Sequence, residues 1–176
     1  MTKSTTLIAC ILSSFLLLAC NKDEENQTNS APEDALTFIL KSAPSGAISV
    51  GEARKNILPG ETVTVTGRVG GTVHPIAEKY ASFVLLDSSI IFCSEMGDEH
   101  CATPWDACCE DVDNLAAHRT SVLFYDESGQ PLAVDLKKQA NLTPMDTVTV
   151  VGRASENSTP DNLLLVAEGI YISPGQ

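Results

Sequence analysis

The chain has 176 residues, with 23 acidic against 11 basic side chains and a formal net charge of −12 at pH 7. That length holds one domain plus a tether. So acidic a surface is repelled by phosphate backbones and anionic lipid headgroups, which argues against non-specific nucleic-acid binding.

Met1–Thr6 is short and polar with one cation, Lys3, and Leu7–Ala19 is an apolar run of 13 residues closed by Cys20. A spanning helix needs about 17–25 residues, so the run is too short to stay as an anchor and has the order of a secretory signal. Cys10 lies inside it and is removed with it. Leu17-Leu18-Ala19-Cys20 resembles the lipobox of bacterial lipoproteins. That resemblance implies cleavage before Cys20 and a diacylglyceryl group on its sulfur. Residues 1–19 are then the signal peptide, and the protein is lipid-anchored in the bacterial envelope, facing the periplasm or the cell surface. Asn21-Lys22-Asp23-Glu24-Glu25-Asn26 turns abruptly polar, so residues 20–45 read as lipidated cysteine plus tether, with no second apolar anchor. Within the tether, Ala35–Leu40 is apolar and is expected to dock on the domain as a strand or short helix.

The domain, residues 46–176, announces itself by strands. A short helix is expected over Val50–Asn56, followed by the turn Leu58-Pro59-Gly60. Glu61–Val69 alternates Thr with Val at period two, as a half-buried strand does. Ser82–Asp87, Ser121–Tyr125, Leu132–Leu136, Thr147–Arg153 and Leu163–Ile172 are the further strands. The run from Pro59 to Arg68 recurs from Pro144 to Arg153, each with V-x-V-x-G, as two similarly curved strands of one small barrel would require. This order resembles an OB-fold, a small five-stranded Greek-key barrel, making the chain all-β with a helical insertion. The resemblance implies ligand binding on the face of the second and third strands. Only Arg68, His74, Lys79 and Arg119 lie near that face, too few for a nucleic-acid surface.

Residues 92–118 interrupt the barrel with Cys93, Cys101, Cys108 and Cys109, spaced C-x7-C-x6-C-C. Thr103-Pro104-Trp105-Asp106 reads as a helix start, with Thr103 as N-cap. A helix running to about His118 would place Trp105, Cys108, Cys109, Val112, Leu115 and Ala116 on one inward face. An exported protein meets an oxidising compartment, so four cysteines point to two disulfides. Adjacent cysteines do not pair within a helix. Two pairings remain: Cys93–Cys108 with Cys101–Cys109, or Cys93–Cys109 with Cys101–Cys108. The rival is a zinc or copper site formed by Cys93, His100, Cys101, Cys108 and Cys109, or a thiol-redox module. The segment also resembles a group of bacterial lipoproteins of uncharacterised activity that carry one OB-like domain; this sharpens the architecture and brings no chemistry.

His74, His100 and His118 are scattered outside any nucleophile motif, and His118 reads as a helix-end cap. The acidic run from Glu95 to Asp113 has no calcium-loop spacing. No catalytic constellation and no cofactor motif emerges. The sequence therefore points to a non-enzymatic binding or assembly module held to a membrane by its N-terminal lipid. Its partner would be an envelope protein or glycan. Metal handling or thiol redox is the alternative, and nucleic-acid binding a third reading, by fold analogy alone.

Overall fold

The computed structural model describes residues 36–97, 101–159 and 161–174. The expected signal peptide (1–19), Cys20, residues 21–35 of the expected tether and His100 lie outside the described residues. Among the described residues no helix is long and apolar enough to cross a membrane.

Six strands form one sheet: β1 (Ile48–Ser49), β2 (Thr62–Val69), β3 (Ser82–Leu86), β4 (Arg119–Leu123), β5 (Thr147–Ala154) and β6 (Leu164–Ile172). Their order is β1-β2-β3-β4-β6-β5, and β5 also pairs with β2, closing a five-stranded barrel to which β1 adds an extra strand. The fold is a small all-β barrel of OB type. β4 and β6 run parallel, while the other barrel pairs are antiparallel. The Thr/Val alternation of β2 produces this directly, because Val63, Val65, Gly67 and Val69 are buried while Thr64, Thr66 and Arg68 between them are more exposed. The two echoing strands are direct partners, Val65 opposite Val150 and Gly67 opposite Val148.

Helix α1 (Val50–Asn56) forms where expected, capped by the Ser49 side chain, which accepts from the Glu52 N–H. Leu36–Leu40 docks as anticipated. Phe38 is buried and stacks on Phe124 at 4.4 Å, and Ile39 bridges Ile170 of β6 in parallel. The packed unit therefore begins before residue 46.

One expected strand is absent. Leu132–Leu136 pairs only at its start, where Leu132 N–H donates to the Phe124 carbonyl, and the chain then enters α3 (Leu136–Gln139). Val134 and Leu136 are buried as the alternation demanded. However, the Asp135 side chain accepts from the Lys137 and Lys138 N–H groups and starts a helix instead.

Asp87, at the end of β3 and 5% exposed, ties α1 to the barrel. Its carboxylate accepts from the Gly51 N–H at 2.7 Å and the Ser89 N–H at 2.9 Å. Burial alone would raise its pKa, but these donors outweigh burial and hold it at about 2. A folded-state pKa below the unfolded value contributes stability that is present above about pH 4 and lost as pH falls towards 2. Asp87→Ala is therefore expected to lose about 2 kcal/mol at pH 7 and to flatten the acid limb of the stability curve. Urea unfolding at stepped pH checks this, and an unchanged acid limb in the variant would contradict it.

Candidate metal centre

The cysteine segment bridges the end of β3 and the start of β4. Its floor is a second small core of Leu86, Ile90, Phe92 and Ala107, with Leu115 packed against it. Phe92 is fully buried against Gly70, where an added Cβ would lie 2.4 Å from the ring, so only glycine permits that approach. The Arg68 guanidinium sits 4.1 Å over the Phe92 ring. It also forms a two-armed ion pair with Glu95 and donates to the Ile90 carbonyl at 2.8 Å. Glu95 reaches back to accept from the Phe92 N–H, starting a short 3-10 turn, Cys93–Met96. On the other flank, Trp105 donates from Nε1 to the Val73 carbonyl, and its own carbonyl accepts from the Gly71 N–H.

The long helix expected from Thr103 to His118 is not there. Thr103–Asp106 makes a single turn, closed by the Asp106 N–H on the Thr103 carbonyl. The reason is competition for acceptors. A continuing helix needs the Pro104 and Asp106 carbonyls for Cys108 and Glu110, but they accept from the Ser94 and Cys93 N–H groups. The helix proper, α2 (Val112–Ala117), starts later on Asp111, whose side chain accepts from the Asp113 and Asn114 N–H groups. Cys108 and Cys109 consequently do not point inward. Both are exposed, Cys93 is buried and Cys101 lies between. Val112, expected inside, is 75% exposed. His118 caps α2, with Nδ1 2.8 Å from the Asn114 carbonyl, and His74 is exposed on the loop after β2.

The loop brings the sulfurs together. Cys93 Sγ and Cys108 Sγ are 3.4 Å apart, and the sulfurs of Cys93, Cys108 and Cys109 all lie within 4.8 Å of one another. Cys101 Sγ lies 3.4 Å from the Thr103 carbonyl and falls outside that three-sulfur group. Among the described residues no two sulfurs are at the roughly 2.05 Å of a disulfide. Burial, then the neighbouring Cys108 thiol, pushes Cys93 up to about 11. Cys101 is lowered, first by its backbone hydrogen bond to Thr103 and then by Cys93. The contact with Cys93 pulls Cys108 down, but Cys109 and partial desolvation carry it upwards overall.

Tetrahedral zinc with Zn–S bonds of about 2.3 Å separates its sulfurs by about 3.8 Å. The cluster spans that distance, and an all-sulfur donor set suits zinc or monovalent copper over hard cations. Sequence reading had gathered the cysteines but missed the clamp that holds them. Arg68 and Glu95 are 27 residues apart with no shared motif, and the only local signal was apolar Ile90 and Phe92 leading into Cys93.

Fold and site together define an OB-type barrel carrying a thiol cluster on a loop clamped to one barrel end. No family model matches the chain, and no curated protein matches it either.

Proposed function

We propose that this is an envelope lipoprotein, anchored through a lipid on Cys20, whose cysteine segment binds a thiophilic metal ion without catalysing a reaction. The observation that carries the metal reading is the convergence of the Cys93, Cys108 and Cys109 sulfurs within 4.8 Å. Cys101, on the same loop but outside the three-sulfur group, is the candidate for the fourth thiolate. The signal-like N-terminus and Leu17-Leu18-Ala19-Cys20 support the anchor. Zinc or monovalent copper held here would neutralise thiolates that otherwise repel one another, and the Arg68–Glu95–Phe92 clamp would set the loop before metal arrives.

The full chain expressed in a bacterium is expected in the membrane fraction, and Cys20→Ala should move it out. The lipidated chain, purified in detergent and reduced, is expected to retain about one zinc or copper per molecule by elemental analysis. Cys93→Ser and Cys108→Ser should each weaken retention by at least about tenfold in a chelator competition. A reduced protein without stoichiometric metal, or binding indifferent to both substitutions, sinks the metal reading.

A further inference from the structure

We propose that Cys93 and Cys108 form a dithiol pair that exchanges with disulfides of other molecules, Cys108 attacking and Cys93 resolving. The pair shares sulfurs with the proposed metal site but does not require that a metal bind there.

Three features of the loop carry this. The two sulfurs are already in contact at 3.4 Å, so a bond of about 2.05 Å needs a closure of little more than 1 Å. The backbones beside them are fixed to each other, Cys93 N–H on the Asp106 carbonyl at 2.8 Å and Ser94 N–H on the Pro104 carbonyl at 3.1 Å. The loop thus holds the two cysteines near each other before any bond forms. Access is also unequal: Cys108 is exposed on the turn Ala107–Glu110, whereas Cys93 is buried. A disulfide on another molecule reaches Cys108 and not Cys93. Exchange followed by internal resolution needs one reachable sulfur and a second within bonding reach of the first.

The chemistry balances in two displacements. The Cys108 thiolate attacks one sulfur of the disulfide R–S–S–R′. That S–S bond breaks, R′S⁻ leaves with the electron pair and takes a proton from solvent, and Cys108 carries R as a mixed disulfide. Cys93, its proton lost to solvent, attacks the Cys108 sulfur, and RS⁻ departs and is protonated. The protein pair is oxidised to Cys93–S–S–Cys108, and the substrate disulfide is reduced to two thiols. Asp111 and Asp113, three and five residues after Cys108, are exposed and acidic, so disulfides with cationic or neutral flanks are the class admitted.

The test uses the reduced, lipidated chain in detergent with excess chelator, so that a failed metal reading leaves the result untouched. Cystamine is the cationic probe. Timed acid quenching, alkylation and peptide mapping are expected to show Cys93–Cys108 as the first bridge formed. Cys93→Ser should accumulate the cysteamine adduct on Cys108, and Cys108→Ser should slow consumption by at least about tenfold. A first bridge between any other pair, a persistent adduct on wild-type Cys108, or no reaction overturns the proposal. Should Cys93→Ser unfold by circular dichroism, the order of bridges in the wild-type time course decides alone.

Discussion

Gly152→Ala is expected to destabilise the barrel by about 3 kcal/mol, enough to leave much of the protein unfolded under mild denaturant. Gly152 sits in β5 at the register shift beside Val151, where Glu168 is left as an extra residue in β6. A Cβ there would lie 2.2 Å from the Val166 carbonyl oxygen and 2.9 Å from the Ala167 Cα. Both are backbone atoms of β6, so neither can rotate away. Relief would have to pull β6 off β5 along the seam that also carries the parallel pairing with β4. Gly169→Ala is the control, because its added methyl meets only the movable Leu40 side chain, nearest at 3.1 Å. Urea midpoints by circular dichroism decide the matter. A Gly152→Ala protein as stable as Gly169→Ala would show that the seam yields more easily than its geometry implies.

Phe92→Ala carries a loss of similar size, about 3–5 kcal/mol, through a different link. Phe92 is fully buried between Leu86, Ile90 and Ala107, and it is the ring on which Arg68 rests. Truncation opens a cavity under the cysteine loop and removes the surface that positions the guanidinium for Glu95. Cys93 follows it directly in the chain, so the sulfurs lose their common floor. Metal retention is expected to fall with stability, whereas Ile91→Ala, one residue away and half exposed, should change neither. Paired unfolding curves and metal analyses on the two variants test this. Full metal retention by a destabilised Phe92→Ala would detach the site from its clamp.

What the sequence disclosed and what it hid divide along sequence separation. β2 and β5 were readable because the Thr/Val alternation and the V-x-V-x-G echo are local, and a half-buried curved strand leaves that mark. The α1 cap on Ser49 lies within three residues of its donor. The cysteine loop was misread where acceptors are taken from afar: Thr103-Pro104 does start a turn, but Cys93 and Ser94 capture the carbonyls that would extend it. Leu132–Leu136 failed differently, since alternation records burial and not pairing, and Asp135 diverts the chain into α3. The grouping of four cysteines was visible as a count. Their unequal exposure was not, because it follows from the lost helix.

The docked segment at Phe38 gives the barrel a polarity. Phe38 packs on Phe124, just past one end of β4, while the cysteine loop joins the barrel at Arg119, the other end of that strand. The five residues of β4 set these ends roughly 15 Å apart. The docked N-terminal segment and the sulfurs therefore occupy opposite ends of one strand, so a change at either end need not disturb the other.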